Sequence, residues 1–295
     1  MCTTCGCSDD AKPKVINLQT GQSTVVPSEI SSEHSHKHEH SHDHKHGQAP
    51  AHGHDHDHHH SHADEQQGHD HSSVRTSTIV SLEEKILAKN DLIAARNRGW
   101  FEGCNILALN LVSAPGSGKT ALLERTISDL QKELFISVVE GDQATVNDAE
   151  RIKKSGCPVV QINTGAGCHL DAQMLATGLK QLNPPRDSVL FIENVGNLVC
   201  PALFDLGEMC KIAILSVTEG EDKPVKYPHM FRAAELLILN KIDLLPHLDF
   251  DIEACKTYAL SVNPKLKIFE VSVRSGDGLE AWYDWLRQAL ACARH

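Results

Sequence analysis

Residues 106–120 read Ile-Leu-Ala-Leu-Asn-Leu-Val-Ser-Ala-Pro-Gly-Ser-Gly-Lys-Thr. The first nine, Ile106–Ala114, form an apolar run typical of a buried strand, and the helical pattern of Ala121 to Leu130 follows the last residue. A strand, a glycine loop, Lys-Thr and a helix, in that order, form the context of a phosphate-binding loop, or P-loop. The stretch therefore predicts a phosphate site at the end of a strand in an α/β sheet.

The residues of this loop have distinct expected roles. Gly116 and Gly118 let backbone N–H groups turn toward phosphate oxygens, at the positive end of the following helix. Lys119 neutralises the β and γ phosphates, and the Thr120 hydroxyl ligates Mg²⁺. Ser113 stands where the usual motif has its first glycine. The predicted phosphate-binding residues are Gly116, Ser117, Gly118, Lys119, Thr120 and Ala121.

Asn240-Lys241-Ile242-Asp243, at the end of a later apolar run, predicts recognition of the base. The Asp243 carboxylate can accept hydrogen bonds from guanine N1–H and the 2-amino group, donors that adenine does not offer in that geometry. GTP is therefore favoured over ATP. Ser272-Val273-Arg274-Ser275-Gly276 resembles the second base-contacting loop of GTPases. The predicted base-contacting residues are Asn240, Lys241, Asp243, Ser272 and Val273.

Two acidic strand ends lie between these motifs. Glu140-Gly141-Asp142 closes one apolar run, and Phe191-Ile192-Glu193-Asn194-Val195-Gly196 closes another. An acid at the carboxyl edge of a parallel sheet can hold Mg²⁺ directly or through water, although a solvated strand end remains the alternative for each. Asp142 is the preferred Mg²⁺ ligand beside Thr120, and the Glu193 segment is similar to the loop that senses the γ phosphate. The predicted catalytic residues are Lys119, Thr120, Asp142 and Glu193.

The apolar runs after residue 105 predict the fold. They are rich in Val, Ile and Leu, lack the polar alternation of a one-sided sheet, and alternate with helical patterns, which indicates a doubly wound, mostly parallel sheet flanked by helices in one domain, residues 74–295. Before them, apolar spacing from Thr78 to about Asn97 predicts an amphipathic helix that Ser81 and Glu84 cap. The predicted strands are Ile106–Ala114, Phe135–Gly141, Val159–Asn163, Ser188–Glu193, Lys211–Val217, Leu236–Asn240 and Lys267–Val273.

Residues 1–73 differ sharply in composition from the rest. The chain has 295 residues and 20 histidines, and sixteen of these lie between His34 and His71. Residues 1–73 also carry a net charge of −7, against −4 for residues 74–295. With so little apolar surface to offset the entropy of ordering, this segment is expected to be disordered without metal. Neutral imidazoles can bind several divalent ions weakly, with loss below roughly pH 6, although a solvated linker remains the alternative.

Composition also excludes several classes of protein. Neither part has the basic excess that nucleic-acid binding usually needs. No apolar stretch is long enough for a membrane span, and the polar, cysteine-bearing start differs from a secretory signal. The ten cysteines are interpreted as reduced thiols in a cytoplasmic protein.

Two cysteine-containing groups are candidate metal sites. Cys168-His169 follows a glycine loop, and Cys200 follows the Glu193 strand; thiolate and imidazole suit Ni²⁺ or Zn²⁺, and pairing across a two-fold axis would complete the ligand set. Small buried cysteines with a capping or core histidine are the alternative. Cys2, Cys5 and Cys7, with the α-amine of Cys2 after removal of Met1, offer an N,S₃ set for square-planar Ni²⁺; Zn²⁺ or unliganded thiols remain alternatives.

Together these features resemble the HypB family of nickel-incorporation GTPases. The resemblance rests on the Cys-Thr-Thr-Cys-Gly-Cys start, the His-rich insertion, the P-loop with its serine, Glu-Gly-Asp-Gln, Asn-Thr-Gly-Ala-Gly-Cys-His-Leu-Asp, the Glu193 segment through Cys200-Pro201, and Asn-Lys-Ile-Asp. It implies that Cys168, His169 and Cys200 form a metal site of the GTPase domain and that Cys2, Cys5 and Cys7 form a high-affinity nickel site.

The resemblance also implies an activity and partners. The protein would hydrolyse GTP, form a GTP-dependent homodimer, and deliver nickel to the large-subunit precursor of a nickel–iron [NiFe] hydrogenase with a HypA-type metallochaperone. The alternatives are a urease-type nickel GTPase, a storage or sensor protein whose nucleotide site only regulates assembly, and a structural zinc protein.

Overall fold

The computed structural model describes residues 12–27, 71–143 and 147–293. Contacts divide the chain into a larger unit, Met1–Val26 with Glu83–His295, and a smaller unit, Pro27–Leu82, whose described part is mainly the start of a helix. The elements are β1 (Lys14–Asn17), β2 (Ser23–Val25), α1 (His71–Cys104), β3 (Leu107–Ser113), α2 (Lys119–Leu130), β4 (Ile136–Asp142), α3 (Asn147–Lys154), β5 (Val159–Asn163), α4 (Ala172–Leu182), β6 (Val189–Glu193), α5 (Cys200–Leu203), β7 (Cys210–Ser216), α6 (Lys223–Lys226), α7 (Pro228–Ala233), β8 (Ala234–Asn240), a 3₁₀ helix (Ile242–His247), α8 (Ile252–Val262), β9 (Lys267–Val271) and α9 (Leu279–Ala293).

One sheet organises the larger unit. Its strand order is β2-β1-β5-β4-β6-β3-β7-β8-β9, and the seven strands from β5 to β9 pair in parallel. These are the seven strands that the apolar runs predict, with ends shifted by a few residues, so the prediction of a doubly wound, mostly parallel sheet is confirmed. The runs lack polar alternation because both faces of the sheet are covered by helices.

Successive residues of each strand enter different cores. Leu107, Leu109 and Leu111 of β3 lie in a core with α2, α3 and α9, where the buried indole of Trp282 donates to Thr126 Oγ1 at 3.1 Å. On the other face, α4 and the second half of α1 cover one half of the sheet, and α7 and α8 cover the other. The helices therefore leave only the strand ends accessible to ligands.

Residues 14–25 form a hairpin on the sheet, so the expectation of disorder throughout residues 1–73 was wrong for this stretch. Strand β1 pairs antiparallel with β5, and Val15, opposite Ile162, is fully buried. Asn17 shapes the turn, because its Oδ1 accepts from the backbone N–H groups of Gln19 and Thr20, both at 3.0 Å. Few apolar residues suffice here because the sheet edge supplies most of the backbone partners.

Helix α1 is longer than the spacing of its apolar residues predicts. It runs from His71 to Cys104, and the buried Phe101 anchors its last turns. The predicted capping box was wrong, because the helix continues through Ser81 and the N–H groups that a cap would satisfy are bonded within the helix. Although α1 has 34 residues, neither it nor any other helix in the described ranges is long and apolar enough to cross a membrane.

The packing of the hairpin can be tested by Val15→Asp with Lys14→Asp as its control. The two variants introduce the same carboxylate at neighbouring positions, one fully buried and one exposed. Because the buried charge lies opposite β5, we expect Val15→Asp to cost roughly 2 kcal/mol or more of unfolding free energy and to accelerate amide exchange in residues 159–163, while Lys14→Asp costs less than about 0.5 kcal/mol. Urea denaturation and hydrogen-exchange mass spectrometry measure both effects. Equal effects of the two variants would contradict the packing.

Candidate functional site

A cleft of about 480 Å³ lies at the carboxyl ends of β3, β4 and β6. Eight residues selected from the sequence line it, together with six that were not selected. The selected residues are Gly116, Gly118, Lys119, Thr120, Ala121, Asp142, Glu193 and Lys241. The others are Pro115, Gln143, Asp148, Arg151, Val195 and Gly196.

The glycine loop is fastened to the segment that follows β8. Asn240 Nδ2 donates to the Ser117 carbonyl at 2.9 Å, and Lys241 Nζ donates to the Gly116 carbonyl at 2.7 Å. Gly118 has φ +101°, and a Cβ on it would lie 2.5 Å from Asn240 Nδ2, so only glycine fits. These contacts fix the distance between the predicted phosphate-binding and base-binding groups.

Lys119 is buried, and it donates a hydrogen bond to Ser113, the residue that departs from the usual P-loop motif. Its ammonium donates to Ser113 Oγ at 2.8 Å. Burial lowers the pKa of Lys119, while the carboxylates of Glu193, Asp148 and Glu140 act in the opposite direction. Ser113 thus supplies an acceptor that a glycine at the same position would not.

Two buried carboxylates face each other across neighbouring strands. Glu140 of β4 is in register with Glu193 of β6. Burial raises the pKa of Glu140 to about 9, with further increases from Glu193 and Asp142, and Gln161 opposes the shift through a hydrogen bond. Burial also raises the pKa of Glu193 to about 7, and the charge of Lys119 limits that increase.

Glu193 also contacts the predicted Mg²⁺ ligand. The Thr120 hydroxyl donates to Glu193 Oε1 at 2.7 Å, and the buried Oε2 has no hydrogen-bond partner in the described part of the chain. Asp142 lines the same cleft. A hydroxyl and carboxylate oxygens are ligands of the kind that Mg²⁺ takes, so this donor set fits the ion.

Arg151 lies at the edge of the cleft and has no signal in the sequence. Its guanidinium makes two bonds to Glu124 of α2, at 3.1 and 2.6 Å, and one to Asp148 at 3.3 Å. An arginine and an acid three residues apart on a helix form a common surface pair, so the pattern alone does not indicate function.

The two loops selected for base recognition meet. Ser272 Oγ donates to Asp243 Oδ1 at 2.7 Å, and Asp243 is half-buried. Val273 packs against the core that contains α9. The second oxygen of the Asp243 carboxylate and its remaining lone pairs can accept bonds from a base.

Two thiols and one imidazole, from Cys168, His169 and Cys200, form a cluster. Cys168 Sγ is 3.1 Å from Cys200 Sγ and 3.6 Å from His169 Nδ1, and the three donor atoms lie within 4.8 Å of one another. The His169 ring packs against Phe204, with 4.0 Å between the ring centroids. Burial lowers the pKa of His169, although the charge of Asp171 opposes this shift. The lowered pKa favours the neutral imidazole, which is the form that binds metals.

The segment after Glu193 touches both sites. Asn194 Oδ1 accepts from the Leu170 N–H at 3.1 Å, and Asn197 Nδ2 donates to the Cys168 carbonyl at 3.3 Å. Val195 and Gly196, between these asparagines, line the cleft. A shift of this segment would therefore act on the Cys168-His169 loop and on Cys200 together.

The other predicted metal ligands cannot be placed. Cys2, Cys5 and Cys7 lie outside the described residues, as does the His-rich tract up to residue 70.

Comparison with known proteins assigns the family. A family model for the CobW/HypB/UreG nucleotide-binding domain matches residues 107–270. The hydrogenase maturation factor HypB of Rhizobium leguminosarum bv. viciae is 60% identical over 213 residues, which cover 72% of this chain and 71% of that protein. The chain belongs to the HypB family. The HypB of Escherichia coli K12 is 55% identical over 215 residues, covering 73% of this chain and 74% of that one. The resemblance identified from the sequence is thereby confirmed.

Solved HypB structures share this fold. HypB from Archaeoglobus fulgidus superposes with a TM-score of 0.65 and 41% identity, covering 69% of this chain and 99% of that one. HypB from Helicobacter pylori in complex with nickel gives a TM-score of 0.65 and 38% identity, covering 69% and 95%. The sheet and P-loop described above are therefore those of the HypB family of P-loop GTPases.

The buried carboxylate pair predicts a specific dependence of stability on pH. Because the pKa of Glu140 is raised in the folded state, the folded chain binds more protons than the unfolded chain from pH 4.5 to about 9, and stability falls as pH rises through that window. Glu140→Gln removes this contribution. We expect the variant and the wild type to be nearly equal at pH 5 and the variant to be more stable at pH 8 and above, in urea unfolding without nucleotide or Mg²⁺.

Glu102→Gln, an exposed position on α1, is the control for loss of one acid. If the unfolding free energy of Glu140→Gln varied with pH in parallel with that of the wild type, the raised pKa of Glu140 would be contradicted.

Proposed function

We propose that the protein is a GTP-hydrolysing nickel metallochaperone that delivers nickel to the large-subunit precursor of a [NiFe] hydrogenase during maturation. The observation that carries this proposal is the segment from Glu193 to Cys200, which lines the nucleotide cleft and also contacts the thiol–imidazole cluster. Membership of the HypB family and the nickel complex of the Helicobacter pylori protein support nickel as the cargo.

The cleft suits hydrolysis of GTP to GDP and phosphate. The backbone N–H groups from Gly116 to Ala121 bind phosphate oxygens, and Lys119 exchanges the Ser113 hydroxyl for phosphate. Asp243, held by Ser272, accepts from guanine. Thr120 and Asp142 would hold Mg²⁺, which supplies charge neutralisation for the phosphoryl group in flight.

Nucleotide binding changes the partners of Glu193. In the described structure Thr120 donates to this carboxylate, and the buried Oε2 has no partner in the described ranges. Ligation of Mg²⁺ through the Thr120 oxygen would draw this hydroxyl toward the ion and change its hydrogen bond to Glu193. The segment that begins at Glu193 is thereby made responsive to the nucleotide, and Cys200 lies seven residues further along the chain.

The thiol–imidazole cluster favours a dimer as the nickel-binding form. Cys168, His169 and Cys200 supply three donors, one fewer than a four-coordinate ion takes, among the residues that the structure describes. Pairing across a two-fold axis would supply up to six. Val199 and Leu203 flank Cys200 and are 54% and 55% exposed, which suits an interface that forms on GTP binding.

In this proposal, residues 1–73 bind and store nickel before it passes to the GTPase domain, residues 74–295. Cys2, Cys5 and Cys7 form the tight site, and the sixteen histidines buffer further ions. A HypA-type metallochaperone is the proposed partner in transfer, and Zn²⁺ is the competing metal at the thiol sites.

The nucleotide chemistry is tested by Lys119→Ala and Asp243→Asn. We expect Lys119→Ala to lower kcat/KM for GTP by about 10³ or more, because it removes the charge that stabilises the developing phosphoryl charge. Asp243→Asn should lower kcat/KM for GTP and raise it for xanthosine triphosphate, because the 2-oxo group of xanthine accepts a hydrogen bond from the new amide. Phosphate release with both nucleotides measures the effects.

Each variant serves as the control for the other. Lys119→Ala should lower turnover of both nucleotides alike, whereas Asp243→Asn should change their ratio. Nickel delivery that survives in Lys119→Ala would favour the storage alternative, in which the nucleotide only regulates assembly.

The coupling between the sites is tested by nickel titration in the GDP-bound and GTP-analogue-bound states. The chain with Cys2, Cys5 and Cys7 changed to Ser and without residues 34–71 isolates the cluster from the other proposed nickel ligands. Since delivery needs a difference in affinity between states, we expect nickel dissociation constants that differ at least about fivefold. Asn197→Ala should reduce the difference because it cuts the bond to the Cys168 loop.

Equal dissociation constants in the two states would refute nucleotide-driven delivery. In the same titration, the chain without residues 34–71 should bind fewer nickel ions, and an unchanged count would reject the buffering role of the histidines.

A further inference from the structure

The ligands of the thiol–imidazole cluster come from two irregular segments. Cys168 and His169 lie in the loop between β5 and α4, and Cys200 opens α5, a helix of only four residues. The second segment continues through Phe204, whose ring packs on His169. Neither segment can fix the position of its ligands through a long helix or strand of its own.

Helix α1 contributes two buried asparagines that each bond to Ala172, the first residue of α4 and three residues after His169, and to the second segment. Asn90 Nδ2 donates to the Asp205 carbonyl at 2.7 Å, and Asn90 Oδ1 accepts from the Ala172 N–H at 2.9 Å. Asn97 Nδ2 donates to the Ala172 carbonyl at 3.0 Å and to the Leu206 carbonyl at 3.1 Å. Asn90 and Asn97 are seven residues apart, two helical turns, and so lie on one face of α1.

The same face of α1 touches the second segment backbone to backbone. A Cβ on Gly207, which has φ +90°, would lie 2.5 Å from the Ala94 carbonyl oxygen and 2.8 Å from the Arg98 nitrogen. The Arg98 guanidinium also pairs with the Asp205 carboxylate at 2.6 and 2.8 Å. That ion pair is partly exposed, so the buried amides carry most of the fixation.

We propose that Asn90 and Asn97 are positioning residues for metal binding at Cys168, His169 and Cys200, with α1 setting the separation of the two ligand-bearing segments. Hydrogen bonds to ligand side chains orient the ligands, and their loss typically lowers metal affinity ten- to a hundredfold. The asparagine bonds act one step further out, on backbone three to six residues from a ligand, so the lower end of that range is expected. The inference rests on the proposed metal role of the cluster. It adds that α1, which begins at the last histidine of the tract, acts on that cluster through Ala172, Asp205 and Leu206.

Asn97→Ala is the main variant, and Asn263→Ala is its matched control. Asn263 also donates from Nδ2 to two backbone carbonyls, Phe231 at 3.1 Å and Ala234 at 2.8 Å, but it ends α8 and contacts neither ligand segment. Each variant removes two side-chain bonds to backbone carbonyls, and Asn263→Ala also removes the bond that Oδ1 accepts from the Lys265 N–H at 3.1 Å. Only Asn97→Ala removes bonds to the backbone next to the ligands of the cluster.

The probe is Co²⁺ added to the full chain in which Cys2, Cys5 and Cys7 are Ser. Sulfur-to-cobalt charge-transfer absorption reports binding at the remaining thiols and is silent for the histidine tract. We expect Asn97→Ala to weaken Co²⁺ binding about tenfold and to shift the absorption band, while Asn263→Ala leaves both unchanged. Asn90→Ala removes one bond to Ala172 and one to Asp205, so it should weaken Co²⁺ binding in the same direction as Asn97→Ala. Thermal unfolding of each variant shows how much stability it loses.

Equal losses of Co²⁺ affinity in Asn97→Ala and Asn263→Ala would overturn the proposal, since the effect would then follow general stability. An unchanged affinity and band in Asn97→Ala would overturn it as well. If the chain with Cys2, Cys5 and Cys7 changed to Ser hydrolyses GTP but gives no sulfur-to-cobalt band, metal binding at the cluster is refuted, and the positioning role with it, while the GTPase activity stands.

Discussion

The parallel direction of seven neighbouring strands is the constraint on which the rest of the structure depends. Because β3, β4, β5, β6, β8 and β9 all end at one edge, groups far apart in the chain meet there: the P-loop, the acids after β4 and β6, the base-contacting loops and the Cys168 loop. Parallel pairing in turn requires helices on both faces, which makes the strands apolar throughout. The same pattern that gives the sheet its core thus gathers the site.

The cleft is held open by interactions that a nucleotide can replace. Burying Lys119 and Glu193 costs several kcal/mol per charge unless each has partners. The two groups stabilise each other's charge, and their hydrogen-bond partners are neutral hydroxyls, Ser113 for the ammonium and Thr120 for the carboxylate. A phosphate oxygen is a stronger partner for Lys119 than a hydroxyl is. The hydrogen bond between Lys119 and Ser113 is therefore one that a phosphate oxygen can replace.

The sequence predicted the features that depend on residues close together in the chain. It missed those that depend on contacts between residues far apart in the chain. The strands and the P-loop follow from apolar runs and glycine spacing, and Asp243 and Ser272 were selected for one base and do meet. The hairpin at residues 14–25 has too few apolar residues to stand out from polar sequence, because the edge of the sheet stabilises it. Arg151 and Asn97 resemble ordinary helix-surface residues, since only folding brings them to the cleft and to the ligand segments.

The geometry of the thiol–imidazole cluster explains why its support matters. Two thiolates on a tetrahedral zinc ion, with bonds of about 2.3 Å, lie about 3.8 Å apart, whereas ligands at right angles lie about 3.3 Å apart. The Cys168 and Cys200 sulfurs are 3.1 Å apart, close to the right-angled case that square-planar nickel adopts. The 3.6 Å between Cys168 and His169 instead matches a tetrahedral ion.

A tetrahedral ion would thus require Cys200 to move outward, and a square-planar ion would require the His169 ring to move inward against Phe204. Cys200 is reached through the nucleotide-contacting segment, and Phe204 precedes the residues that α1 holds. If the cluster binds a metal as proposed, the nucleotide cleft and α1 would therefore each act on a different one of these two movements.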